Sequence, residues 1–308
     1  MKEREKPPDS HLYVQLESFR DRLPTVDEKG RRIWLYPKEP KGGRFWKIRK
    51  FLSFFQLLVL FGLPFLTIKG EPALMINILQ RKLIFFGHVF WPEDLYLIIL
   101  FFLSLVIFIL LLTASFGRVF CGWACPQTIF MELVFRRIER WIEGDGPKQK
   151  KLDNSPWTTE KILKKSLKHG IFFLLSFAIG NLFLAYIVGK DTLFQWMSRS
   201  PLEHPAAFVG VFFFSLLFYG IFSRFREQAC VAVCPYGRLQ SVLQDENTIM
   251  VTYDFKRGEP RGKGVKNRPA DLGDCIDCKQ CVAVCPTGID IRNGIQMECV
   301  NCTACIDA

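Results

Sequence analysis

An α-helical membrane domain of four transmembrane helices, followed by a small α+β cysteine-rich module, is the fold class that this 308-residue sequence predicts. Three observations carry it. Four runs free of Asp, Glu, Lys, Arg and His, at 51–68, 95–117, 170–189 and 205–223, are 18 to 23 residues long. A helix rising about 1.5 Å per residue crosses a hydrocarbon core of about 30 Å with such lengths. Eleven cysteines recur at regular spacings, seven of them after residue 274. Lys and Arg total 41 against 30 Asp and Glu, and the basic surplus gathers beside alternate ends of the apolar runs.

Apolar residues make up 49% of the chain, 30 of them Phe, and they lie in blocks, which excludes a disordered chain and an ordinary soluble domain. In the first span Pro64 is expected to kink or shorten the helix. The short run 83–90 contains His88, stops at Trp91-Pro92 and reads as interfacial. The segment before the first span carries 14 Lys and Arg, and 118–168 carries 11, whereas the loops 69–94 and 190–204 carry 3 and 2. The rule that basic loops stay inside places the N-terminus, the middle loop and everything after residue 224 in the cytoplasm. The organisation is then a basic cytoplasmic segment 1–50, a membrane domain 51–224 with a cytoplasmic loop at 117–168, a linker 225–270, and the module 271–308. No cleavable signal peptide is expected. The basic N-terminal segment reads as a topology signal and a contact for anionic lipid, not a nucleic-acid site.

All eleven cysteines fall on the predicted cytoplasmic side, where thiols or metal ligands are expected in place of structural disulfides. Cys275, Cys278, Cys281 and Cys285, with Pro286, form the complete C-x2-C-x2-C-x3-C-P run of bacterial ferredoxins. Cys299, Cys302 and Cys305 begin a second run, and the position after residue 308 is where its fourth cysteine belongs, so the module is expected to be truncated. Zinc sites usually pair two C-x2-C knuckles across a longer gap, so the spacing points to iron–sulfur chemistry. In a two-cluster ferredoxin the fourth cysteine of one run ligates the other cluster. Cys285, Cys299, Cys302 and Cys305 then make one full set, and Cys275, Cys278 and Cys281 the other, short of one ligand.

A second pattern repeats at the ends of two spans. The second span runs into Cys121-Gly-Trp-Ala-Cys125-Pro126, and the fourth into Cys230-Val-Ala-Val-Cys234-Pro235. Both are C-x3-C-P preceded by basic residues. Proline at the first helical position makes each a turn ending on a helix start. Cys125 and Cys234 then sit at helix N-termini, where the dipole favours thiolate, and Arg118, Arg224, Arg226 and Arg238 are expected to push the same way. One such cysteine alone reads as a small buried residue; the repetition points to a redox or metal role. The four thiols suit Cu(I), dithiol–disulfide cycling or contact with another cofactor. His88, His169 and His204 read as residues at span ends. Met131, Met197 and Met250 share no copper-box spacing.

With these residues in hand, the chain resembles the CcoG/FixG/RdxA family of cytochrome oxidase accessory proteins. The resemblance rests on residues 121–128, 230–238, Tyr253-Asp254, 257–261, 273–278 and 285–292. It implies a bacterial inner-membrane protein with two 4Fe-4S clusters that assists assembly of cbb3-type oxidase by reducing Cu(II) to Cu(I). Implied partners are oxidase subunits or copper-delivery proteins, with quinol or a soluble reductant as donor. It also implies a fifth span and a periplasmic immunoglobulin-like domain beyond this sequence. Two other readings stay open: a quinol dehydrogenase subunit similar to NapH and NosR, and a metal-handling scaffold without turnover.

Overall fold

The computed structural model describes residues 25–26, 29, 31–40, 42–68, 70–77, 82–198, 205–245, 247–262 and 272–308. Most of the basic N-terminal segment, His204, and linker residues 263–270 lie outside the described residues.

Four helices are long and apolar enough to cross a membrane: Arg44–Phe65, Tyr96–Phe116, Thr159–Val188 and Pro205–Phe225. They coincide with the four apolar runs. The first begins at Arg44 and the third at Thr159, ahead of the apolar stretches, because Lys and Arg are good helix formers whose long stems reach the headgroup layer. Helix α1 (Arg44–Gly62) tightens into a 3-10 turn, Leu63–Phe65, at Pro64, so the proline shortens the span as expected.

On the far side of the bilayer from the cysteines, β1 (Thr67–Ile68) pairs with β2 (Glu71–Pro72). Strands β3 (Leu74–Asn77), β4 (Lys82–Phe85) and β5 (His88–Phe90) form an antiparallel meander. Phe86 and Gly87 join β4 to β5 with φ of 48° and 78°, the two positive values of a type I′ hairpin. The run read as interfacial is this hairpin, whose alternating residues were too few to stand out in the sequence.

Helix α2 (Leu95–Phe116) carries no charged residue and exposes Phe101, Phe102, Phe108 and Leu111, the surface a lipid-facing helix presents. It is followed by α3 (Val119–Trp123), α4 (Pro126–Ile129), a π turn (Phe130–Phe135) and α5 (Arg136–Glu143). This segment supplies half of the main core. Phe135 stacks on Phe222 at 4.4 Å and meets Phe172 edge-on at 4.9 Å, with Phe130, Met131 and Ile179 buried around them. Each such side chain contributes about 1.5–3 kcal/mol by leaving water.

Helix α6 (Gly146–Asn154) leads to α7 (Thr159–Val188), α8 (Lys190–Ser198) and α9 (Pro205–Gly220). Helices α7 and α9 pack against each other, with Phe173 edge-on to Phe212 at 6.4 Å and Gly180 facing Ser215. Small residues at such a seam let membrane helices approach. Two π turns, Ile221–Phe225 and Ala229–Val233, precede α10 (Pro235–Val242), and α11 (Phe255–Gly258) stands in the linker. The C-terminal module holds α12 (Gln280–Ala283) and a 3-10 turn, Ile291–Asn293; no strand is assigned among the described residues 272–308. Its backbone is given over to loops around the cysteines.

Candidate functional site

The two C-x3-C-P motifs adopt one geometry. Cys125 and Cys234 are the N-cap residues of α4 and α10, with φ/ψ of −67°/122° and −68°/112°, and proline follows each. The amide of Cys125 donates to Phe120 O at 2.9 Å and that of Cys234 to Ala229 O at 2.8 Å, so each cysteine's backbone closes an i to i−5 turn. Such widened turns recur at functional sites.

The C-terminal cysteine runs also repeat a geometry. Asp277 and Lys279 flank Cys278 with φ of 53° and 57°; Asn301 and Thr303 flank Cys302 with 52° and 61°. Left-handed Lys and β-branched Thr cost about 1–3 kcal/mol each and persist only where the surroundings fix them. Cys281, Cys285, Cys299, Cys302 and Cys305 line one cavity, together with apolar Val251, Ile289 and Val300. Cys275 and Cys278 lie outside it, and Cys278 is exposed.

Tertiary structure brings the two sets together. Cys121 and Cys302 belong to one buried cluster with Val284, Val300 and Ala304, and Tyr236 packs against it. Gly122 makes this approach possible: a β-carbon there would stand 2.4 Å from Val300 O and 2.9 Å from Cys302 Cα. Arg49 Nε donates to Gly122 O at 2.9 Å, and Trp123 Nε1 to Asn301 O at 3.3 Å. Asn301 in turn donates to Phe116 O at 3.1 Å and accepts from Val251 N at 3.0 Å, which ties the cysteine loop to the end of α2 and to the linker. From the other side Arg136 donates to Pro286 O at 3.1 Å.

The Cys121 thiol donates to Gln240 Oε1 at 3.0 Å; Gln240 Nε2 donates to Thr113 Oγ1 at 3.0 Å, and Thr113 Oγ1 to Ile109 O at 2.8 Å. This chain joins a span backbone to a motif thiol through a fully buried glutamine. Phe120 meets Tyr236 edge-on at 5.9 Å, and Arg118 and the Cys230 carbonyl both lie against Gly237, so the two motifs are neighbours.

Burial decides the acidity of these thiols. It raises Cys121, and it pushes Cys230 up to about 12, against the opposing pull of Arg118. Within the module, burial pushes Cys299 up to about 11 and Cys302 and Cys305 up to about 12. Of the arginines expected to favour thiolate, Arg224 and Arg226 are engaged elsewhere. Arg118 is buried against Gly237 and the Cys230 carbonyl, but Arg226 turns away to Glu139 at 2.6 Å. Arg224 lines a separate cavity.

Among the described residues, no three His, Cys, Asp or Glu side chains are grouped to hold a single metal ion. A lone ion needs every ligand within about 2.3 Å of one point, whereas a four-iron cluster takes one thiolate at each of four corners. Cys285, Cys299, Cys302 and Cys305 around one apolar-walled cavity fit the second requirement: soft sulfur donors, strained loops folded about them, and no competing carboxylate among its lining residues.

Sequence reasoning missed Gln240, Arg49 and Asn301, which act across 50 to 185 residues of chain. It also missed a buried ion network in which Glu227 takes Arg136 at 2.9 Å and Arg32 at 3.2 Å. Only Glu132 and Arg136, four apart on one helical stretch, left a local signal.

Comparison with known proteins follows the same division. Residues 98–144 match a family described as a 4Fe-4S binding domain, and residues 225–308 one described as a 4Fe-4S dicluster domain. The nitrogen fixation protein FixG of Rhizobium meliloti is 36% identical over 293 residues, covering 91% of this chain and 54% of that protein. Protein RdxA of Cereibacter sphaeroides is 40% identical over 238 residues, 77% of this chain and 50% of its own length. Protein RdxB of the same organism is 37% identical over 231 residues, 74% and 48%. The chain belongs to the FixG/RdxA family. It spans about half the length of these curated relatives. No solved structure matches it. As a FixG/RdxA family member it is a multi-pass, membrane-associated iron–sulfur protein, and both matched segments contain a C-x3-C-P motif beside a span.

Proposed function

We propose that this membrane-associated iron–sulfur electron-transfer protein reduces Cu(II) to Cu(I) for assembly of cbb3-type cytochrome oxidase. In this reading it sits in the bacterial inner membrane with the cysteine side cytoplasmic, as the basic segments suggest. Cys285, Cys299, Cys302 and Cys305 hold one 4Fe-4S cluster, and Cys275, Cys278 and Cys281 contribute to the other. Bound clusters supply electrons singly, which matches a one-electron reduction of the metal substrate.

The observation that carries the reading is the burial of Cys121 in one cluster with Cys302. Cys121, Cys125, Cys230 and Cys234 receive the copper substrate. Sulfur favours Cu(I) over Cu(II), so the four thiols hold the product ion better than the reactant. Because Cys121 and Cys230 are protonated when free, binding releases their protons, and Arg118 stabilises the resulting thiolates.

The test is anaerobic reduction of the full-length protein with dithionite, removal of the excess, and addition of Cu(II) with a Cu(I)-specific chelator. One Cu(I) per electron stored is expected. Cys302→Ser abolishes the reaction by removing the store. Cys121→Ser/Cys230→Ser keeps iron content and slows Cu(I) formation. Wild-type rates in both variants would refute the reading and leave a scaffold role.

A further inference from the structure

A cavity of about 580 Å³ opens where α7 and α9 leave the apolar zone, on the same side of the membrane as the cysteines. Tyr219 and Ser223 line it from the α9 side and His169 from α7, with Tyr219 OH and His169 Nδ1 2.9 Å apart. Trp157, 76% exposed, stands at its rim, at the depth where amphipathic aromatics mark the headgroup layer. Below the rim, Phe173 meets both Tyr219 and Phe212 edge-on, at 6.1 Å and 6.4 Å, so an apolar surface continues from the cavity down the α7–α9 seam.

The charges around the cavity do not cancel. Lys168 bonds Glu139 and Glu143 at 3.2 Å and 2.7 Å; Lys165 bonds Glu143 and Asp153 at 3.0 Å and 2.5 Å; Arg226 bonds Glu139 at 2.6 Å. Three cations thus balance three carboxylates. Two cations remain. Lys161 Nζ donates to the carbonyls of Asp153 and Ser155 at 2.8 Å and 2.6 Å and stands 5.1 Å from the centre of the Trp157 ring, so no carboxylate among the described residues compensates its charge. Arg224 is exposed and has no carboxylate partner among the described residues. Two surplus positive charges above an apolar seam match a phosphate ester carrying acyl chains.

We infer that this cavity binds the phosphate of an anionic phospholipid, with Lys161 and Arg224 as its ligands and the α7–α9 seam as the bed for a chain. Basic pockets between membrane helices recognise headgroups in this way, each cation near the surface strengthening binding about fivefold. The site rests on the four-helix membrane reading alone and is independent of copper chemistry.

Native mass spectrometry of the full-length protein in detergent, titrated with dioctanoyl phosphatidylglycerol, matched phosphatidylcholine or inorganic phosphate, tests it. Phosphatidylglycerol is expected to bind in preference to both of the others. Arg224→Gln lowers that affinity about fivefold, Lys161→Gln/Arg224→Gln roughly thirtyfold, and Arg224→Lys restores most of it. Arg44→Gln/Lys47→Gln, which removes the same charge from exposed positions at the start of α1, leaves it unchanged. Equal losses from both double variants would mean diffuse surface attraction and overturn the site. Displacement of the lipid by inorganic phosphate at equal concentration would make it a soluble-anion site and overturn the lipid assignment. Unaltered lipid affinity in Arg224→Gln overturns the inference even if Lys161 variants misfold.

Discussion

Gly122 and Cys302 meet backbone to backbone, with room at Gly122 for a hydrogen and nothing larger. A residue of a membrane-edge helix thereby fixes the position of a cysteine loop 180 residues later in the chain. Gly122→Ala gains about 1 kcal/mol of helix propensity, but its methyl group collides with Val300 O and Cys302 Cα at 2.4 Å and 2.9 Å. Overpacking against backbone costs about 1–3 kcal/mol, so the collision wins. Lower thermal stability and reduced iron retention are expected, read by unfolding and iron assay. An unchanged variant would show that the two modules do not dock through this contact.

Gln240 is fully buried between Cys121 and Thr113. Gln240→Leu removes the acceptor of the buried Cys121 thiol and the amide that donates to Thr113 Oγ1, a loss of about 1–3 kcal/mol. Chemical denaturation should resolve this, while the iron–sulfur absorption stays as in the parent protein.

The buried ion network makes stability depend on acid. Burial works to raise Glu139, but Arg226 and Lys168 outweigh it and hold the carboxyl at about 2. A carboxylate lowered on folding stabilises the protein above its unfolded pKa of about 4.3 and loses that contribution as pH falls toward 2. The size is about 3 kcal/mol. Glu139→Gln should therefore flatten the fall in melting temperature between about pH 5 and pH 2, and an identical fall in both proteins would exclude the network as its cause.

Arg136 and Glu227 are both buried, bonded at 2.9 Å, and Arg136 also reaches Pro286 O beside Cys285. Removing one member leaves an uncompensated buried charge worth about 3–5 kcal/mol. Glu227→Gln is expected to destabilise the protein by that order, more than Arg257→Gln, whose partner Asp274 is exposed.

In metal-free protein, burial keeps the Cys121, Cys230 and Cys302 thiols protonated at pH 8, whereas Cys278 is exposed. Only thiolate reacts, so a permeant alkylating reagent should modify Cys278 well before the other three, as peptide mass spectrometry would reveal.

Much of the architecture was legible along the chain. Charge-free runs of sufficient length specify bilayer crossings because an unpaired backbone cannot remain in hydrocarbon, and Pro126 and Pro235 specify helix starts because proline lacks an amide to donate. The ferredoxin spacing names the chemistry, since a cluster dictates how closely three sulfurs follow one another. The hairpin at 82–90 was less legible, its strands being too short for alternation to register. Tertiary structure alone decided that Cys121 lies against Cys302, that Gln240 holds a thiol, that Arg226 serves Glu139 instead of a cysteine, and that Lys161 and Arg224 face one cavity. These are juxtapositions of residues far apart in the chain, and they follow from packing, which local spacing does not encode.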